Sequence, residues 1–261
     1  MACSCPQGCV VNPIFVNWVG YSSFDIRRRT GYSAGYGVNW GTHSATAQSW
    51  TFDPKFHAWL GDVVKYINTI AVNHATKAID WIGCAGVGGV CDDKPYHSTG
   101  RAMDITAIRF TDGSVVDCNA SWAVMDRYNN RLYAALIAAA RIYAGPSSVL
   151  SAGYDSMHSN HVHVDNWWPG GPLKTSDKGD RVLLRRINQV FGASSNAVDT
   201  RPWNDRQDDS AATAATVAAL RLPSCWQIFT NAWHTLGFLD LVARHGIANR
   251  PPGYFAPHQC A

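Results

Sequence analysis

RAMDITAIRFTDGSVVDC, residues 101–118, reads as two strands meeting at Asp112-Gly113. Asp-Gly between strand-like runs is a strong hairpin signal, because a tight hairpin turn needs positive φ at its centre. Upstream, FHAWLGDVVKYINTIAVNHA sets Phe56, Leu60, Val63, Val64, Ile67 and Ile70 at helical spacing. Asp53 before Pro54 supplies the N-cap and first-turn signals. AIDWIGCAGV then reads as a strand entering a glycine turn. Downstream, SWAVMDRYNNRLYAALIAAARIYAG predicts a long helix from a Ser121 cap to Gly145-Pro146, and SVLSAGYD and HVHVDN are short and β-like. Their sum is an α+β domain, helices packed on a mostly antiparallel sheet.

Pro and Gly cluster in WWPGGPLKTSDKG, residues 167–179, which sets a domain boundary with a linker over 169–178. Beyond it, DRVLLRRINQVFG, SAATAATVAALRL and SCWQIFTNAWHTLGFLDLVARHG predict three helices, a small all-helical domain over 179–261. The first carries apolar residues at 182, 183, 184, 187, 190 and 191. Residues 1–45 are rich in Cys, Gly and aromatics (Trp18, Tyr21, Tyr32, Tyr36, Trp40), a loop-rich entry segment.

With 261 residues, 46% of them apolar, the chain can bury a real core. Its net charge is +3 and its 22 Lys and Arg are scattered, Arg27 to Arg29 being a solvated face, so no nucleic-acid partner is expected. No window approaches the about 18 apolar residues of a membrane span. The nearest, residues 132–145, is interrupted by Arg141. MACSCPQGCVVNP shows no secretory signal, yet eight cysteines point to an oxidising destination, extracellular or in the cell envelope. Secretion as a mature form, injection, or phage release would each reach it. Cys84 and Cys91 flank AGVGGV and are expected to close a local disulfide loop; a zinc knuckle of Cys3, Cys5 and Cys9 is the rival use of the amino-terminal set.

All 19 acidic side chains are aspartates, so mechanisms built on a glutamate base, the HExxH zinc proteases among them, are excluded. Chemistry concentrates instead in HSNHVHVD, residues 158–165. Strand alternation would turn His161, His163 and Asp165 to one face, with Val162 and Val164 packed behind. Imidazole and carboxylate are good zinc ligands, but one strand offers at most two histidines to a site. A second group lies in HSTGRAMD, residues 97–104, with His97 in a loop, Gly100 to fold it tightly, Ala102 to keep the wall small and Asp104 inside the strand.

HxxGxAxD followed by HxH resembles the zinc peptidases grouped with lysostaphin, the D-alanyl-D-alanine peptidases and the hedgehog signalling domain. His97, Gly100, Ala102 and Asp104 match the first motif, and His161 and His163 the second. HxxHxH, here His158, His161 and His163, is similar to the penicillin-insensitive murein endopeptidases and the extensin-like C-terminal family. The resemblance implies a hedgehog/DD-peptidase-like fold over residues 46–168. It also implies His97, Asp104 and His163 as zinc ligands, His161 as the active-site histidine and His158 as a second histidine lining the site. Pro95 stands where the family usually has a serine. Three protein ligands leave a fourth position for water, and zinc can lower the pKa of such a water to roughly 7. His161 is then the expected acid/base group, with Asp155 as alternative base or as a turn residue in GYDS. Arg101 would hold a substrate carboxylate or oxyanion, or else a structural partner; Asp165 would orient a histidine, or else face solvent.

KGDRVLLRRINQVFG and VDTRPWNDRQDDSAATAATVAAL resemble the opening helices of peptidoglycan-binding three-helix domains. A tethered wall-binding module would raise local enzyme concentration on an insoluble substrate. Trp203, Trp226 and Trp233 would then be a sugar-stacking platform, or else packing residues. The function implied is zinc-dependent hydrolysis of peptide bonds in bacterial peptidoglycan, in the stem or the cross-link, by a monomer. Its competitors are a non-catalytic zinc or wall-binding module and the same peptidase used as an injected or phage lytic toxin. A glycosidase is disfavoured, since no aspartate pair has a zinc-free rationale.

Overall fold

Residues 10–11, 25–29, 45–47, 51–87, 96–97, 100–118, 127–146, 148–165, 171–192, 210–222 and 227–255 are described by a computed structural model. Along them run β1 (Val10–Val11), β2 (Asp25–Arg29), β3 (Ala45–Ala47), β4 (Thr51–Phe52), α1 (Pro54–Ala75), β5 (Ile79–Val87), β6 (Ala102–Phe110) and β7 (Val115–Asp117). There follow α2 (Arg127–Tyr143), β8 (Val149–Leu150), β9 (Val162–Asp165), α3 (Lys178–Phe191), α4 (Ser210–Ala219) and α5 (Ala232–Ile247).

The Asp112-Gly113 hairpin joins β6 to β7, but β6 does more than make a hairpin. One of its edges pairs with β5 from Met103 to Phe110, with bulges along the way. The other is divided: Ala107 to Arg109 face β7, whereas Ala102 to Ile105 face β9. The open sheet runs β3-β2-β5-β6-β9-β8 with β7 also beside β6, and among the described strands only the β2–β5 pairing is parallel. A mostly antiparallel sheet with helices, the expected α+β arrangement, is therefore what forms. β1 and β4 make a separate antiparallel pair.

α1 begins where Asp53, in extended conformation, accepts hydrogen bonds from the Lys55 and Phe56 N–H groups, with Pro54 in the first turn. The six apolar residues read at helical spacing are all buried. α2 is different, because Leu132 to Arg141 are all buried. A helix covered on every side sits between other elements rather than on a surface; α1, α3 and α5 all pack against this one. Its alanines allow close approach, and Gly246 of α5 completes the fit. A Cβ on Gly246 would collide with Ala135 Cβ and the Arg131 carbonyl.

Residues from α1, the sheet, α2, α3 and α5 share one hydrophobic cluster. The composition break at 167–179 coincides with the stretch between β9 and α3, and a buried ion pair closes over it. Arg141, 1% exposed, donates from Nε to Asp180 Oδ1 at 2.6 Å and from Nη2 to Oδ2 at 3.0 Å. Its Nη1 donates to the Ala144 carbonyl, and Asp180 also accepts the Lys174 N–H. The arginine that interrupts the alanine-rich run thus ties α2 to α3.

One helix is shorter than its apolar spacing predicts. Helix is expected from residue 224, but α5 starts at Ala232, because Asn231 is extended (φ −120°, ψ 117°) and its side chain accepts from the Trp233 and His234 N–H groups. Thr235 Oγ1 donates back to the Ile228 carbonyl, holding the preceding turn against the helix. Ile228 is buried from that turn, so its apolar character reported packing, not helix. The Ser121 cap, Cys3, Cys5, Cys9, Cys91, Trp203 and Trp226 lie outside the described residues. Cys84 and Cys118 are buried in the core. Trp233 is 81% exposed and is no packing residue. No helix of the described residues is long and apolar enough to cross a membrane.

Candidate metal centre

The divided edge of β6 builds the site. The register sets Asp104 directly opposite His163 and Ala102 opposite Asp165. The turn before β6 brings in His97: the Gly100 N–H donates to the His97 carbonyl, Arg101 N–H to the Tyr96 carbonyl, and Asp53 N–H to the Gly100 carbonyl. The residue that caps α1 therefore also anchors the loop carrying His97.

His97 Nε2 lies 3.2 Å from His163 Nδ1 and 3.4 Å from Asp104 Oδ1, and His163 Nδ1 lies 2.9 Å from Asp104 Oδ1. Tetrahedral ligands about 2.0–2.1 Å from a zinc ion stand about 3.3–3.4 Å from one another, so this spacing is close to that of a metal shell. These three residues are a possible metal-binding triad, with one ligand atom from each within 4.8 Å of the others. The chemistry of the donor set, two imidazoles and a carboxylate, fits the group.

His161 stands at the margin, its Nε2 3.4 Å from Asp104 Oδ1 and its Nδ1 2.8 Å from Asn160 Oδ1. His163 turns its far nitrogen, Nε2, to Asp165 Oδ2 at 3.0 Å. Val162 and Val164 are buried on the opposite side of the strand, as alternation requires. His158 lies edge-on to Tyr154, with its ring centroid 5.2 Å from that of His161 and 5.7 Å from that of His163.

Charge follows from these contacts. Burial alone would raise the Asp104 carboxyl, but hydrogen bonds from His163 and His97 hold it well below the usual carboxylate range. Burial opposes a charged His163, yet Asp104 and Asp165 together push it up to about 9. Burial, against the pull of Asp104, takes His161 down to about 4, so at neutral pH its ring is uncharged. His158 is also lowered by burial, opposed by Asp155.

The structure therefore brings together His97, Asp104, His161 and His163, with His158 beside them. Asp165 is buried behind His163 and does not face solvent. Asp155 is engaged by three N–H groups, those of Met157, of His158 and of the His158 ring at Nδ1. Arg101 is half-buried with its guanidinium 5.4 Å from the centre of the Tyr96 ring. The Asn160 contact to His161 escaped the sequence reading, and nothing beyond adjacency could have signalled it.

Residues 42–170 match the family model described as Extensin-like protein C-terminus. That span holds every residue of the site. No curated protein and no solved structure matches the chain.

Proposed function

We propose, from the match of residues 42–170 to the extensin-like protein C-terminus, that this segment is a zinc-dependent peptidase cutting stem peptides or cross-links of bacterial peptidoglycan. The observation that carries the reading is the convergence of His97 Nε2, Asp104 Oδ1 and His163 Nδ1 with two further histidines alongside. A closed structural site needs no such neighbour; a hydrolytic site needs a proton-transfer group beside the metal, and His161 stands there. The peptidoglycan substrate is supported by family resemblance, and the exposed Trp233 ring on α5 offers a surface to a glycan.

His97, Asp104 and His163 would hold the zinc. Bound there, zinc supplies Lewis acidity toward the peptide carbonyl and makes water a competent nucleophile near neutral pH. His161 takes the proton from the attacking water and returns it to the leaving amine. Donation of its Nδ1–H to Asn160 leaves Nε2, on the Asp104 side, as the nitrogen that exchanges the proton. Asp165 accepts from His163 Nε2 and keeps the opposite nitrogen aimed at the ligand cluster. Asp155, whose Oδ1 faces three nitrogens of Met157 and His158, orients His158 rather than acting as base.

The test is mass spectrometry of purified peptidoglycan incubated with the protein, with and without a zinc chelator. Chelator-sensitive peptide fragments are expected from the wild type. His161→Ala is expected to retain one zinc per chain and release none. Full activity in that variant would remove His161 from its role. Absence of fragments from a zinc-loaded wild type would favour a non-catalytic zinc module.

A further inference from the structure

His158 sits in a run of turns, residues 151–161, with no helix or strand of its own to orient it. Its position is supplied from outside that run. Ala152 is gripped on both sides of its peptide unit. Its N–H donates to Tyr133 Oη of α2 at 3.0 Å, and its carbonyl accepts from Arg186 of α3, through Nε at 3.1 Å and Nη2 at 2.9 Å. The buried guanidinium spends its remaining arm on Gln189 Oε1 at 3.0 Å. Gly153 follows with φ +101°, a conformation that favours glycine, and a Cβ there would stand 2.6 Å from Arg186 Nη2 and push the guanidinium aside.

The next residues carry the constraint onward. The Tyr154 N–H donates to the Ser151 carbonyl, closing a turn. Lys178 Nζ, at the start of α3, lies 4.8 Å from the centre of the Tyr154 ring, and that ring meets His158 edge-on, centroids 5.5 Å apart at 89°. Asp155 Oδ1 gathers the Met157 N–H, the His158 N–H and His158 Nδ1, the last at 2.7 Å. An ionised carboxylate only accepts, so the His158 proton is on Nδ1 and Nε2 presents a lone pair.

We infer that α3 is part of the catalytic unit: Arg186, through Ala152, and Lys178, through Tyr154, pin the turn in which Asp155 sets the orientation and tautomer of His158 beside the ligand cluster. Arg186 is a positioning residue. The inference rests on the proposed peptidase reading for the use made of His158, and it gives the helices after the 169–178 stretch a task other than tethering. Sites held by loops are only as precise as the residues that pin them.

Long-range proton–nitrogen NMR of the imidazoles in the full-length, zinc-supplemented protein tests this, with His158→Gln identifying the resonance. The wild type is expected to show His158 protonated at Nδ1 alone. In Arg186→Ala the His158 nitrogens should move toward averaged values while the His97 and His163 signals and zinc affinity stay unchanged. Peptide release from peptidoglycan should then fall in kcat, with KM unchanged, by roughly 10- to 100-fold, the scale of a misplacement of about 1 Å. A folded Arg186→Ala protein whose His158 keeps the wild-type signature overturns the inference, as does a wild type already averaging between tautomers. If Arg186→Ala does not fold, Arg186→Lys, which keeps the charge and one donor, is read for the same two outcomes. A wild type that binds no zinc and releases no peptide sinks the peptidase reading instead, and the His158 spectrum of that metal-free protein still decides the positioning role.

Discussion

Asp165→Asn isolates the contribution of the hydrogen bond behind His163. Asp165 Oδ2 lies 3.0 Å from His163 Nε2, and the other ring nitrogen faces Asp104 Oδ1 at 2.9 Å and His97 Nε2 at 3.2 Å. A carboxylate on Nε2 keeps the ring proton there and leaves Nδ1 as the donor to a metal. Asparagine has the same shape, and its backbone would stay in place, because the N–H at 165 donates to the Ser148 carbonyl at 2.9 Å and the residue pairs with Ala102. Its amide can donate to Nε2, however, which draws the proton to Nδ1 and blocks the ligand. When it accepts instead, the bond is neutral and weaker by about 1 kcal/mol. Loss of such a partner typically lowers metal affinity 10- to 100-fold, about 1.4–2.8 kcal/mol. The expected result is a zinc dissociation constant raised by that factor in competition with a chromogenic chelator, with the metal-free melting temperature also lowered because one of the charges that hold His163 up to about 9 is gone. Unchanged affinity in a variant that folds normally would refute the orientation argument.

Other outcomes follow from the same geometry. Chelation should lower the melting temperature, since free zinc at about 100 times its dissociation constant adds roughly 2.7 kcal/mol to the folded state; a melting temperature blind to chelator would mean no bound metal. His97→Ala and Asp104→Asn should each abolish that shift, as seen by differential scanning calorimetry. Asp180→Ala leaves the buried Arg141 guanidinium without its carboxylate and should cost about 3–5 kcal/mol in urea unfolding, more than the double replacement Arg141→Met with Asp180→Leu. Burial, opposed by backbone contacts at Arg250 and Pro251, holds the His245 imidazole below its ordinary 6.5. The unfolded chain therefore takes up a proton first, so this contribution is full above pH 6.5 and is lost as pH falls below it. Melts across that range should fall less steeply in His245→Phe than in the wild type, and equal slopes would exclude the ring as a source.

α1 was legible because a cap, a first-turn proline and a six-residue apolar stripe all agree, and each of those apolar residues is buried. The Asp112-Gly113 turn was legible for the same reason. The ligand candidates stood out by residue type and spacing, since HxxGxAxD and HxH are rare enough together to limit the choice. What surrounds them was not legible. Asp165 could equally have faced solvent, and only the pairing of β9 with β6 turns it behind His163. Packing of α5 on α2 was also hidden, because alanine and Gly246 carry little periodic signal while permitting the closest contacts. The start of α5 was misjudged because Ile228 is buried without being helical, and an Asn at 231 weighs less in a periodicity count than it does as a cap.

The division of the β6 edge also orders events in the making of the protein. β5, β6 and β7 are contiguous in the chain and can pair as soon as they exist, leaving the Asp104 half of β6 with an open edge. Its partner His163 lies 59 residues further on, past the whole of α2. Long-range pairing of this kind is slow relative to hairpin closure. A nascent or truncated chain therefore carries at most His97 and Asp104 in place and has no complete ligand set. Any metal held by His97, Asp104 and His163 would then be captured late, as a report that the sheet is complete, and premature chains would lack the full set.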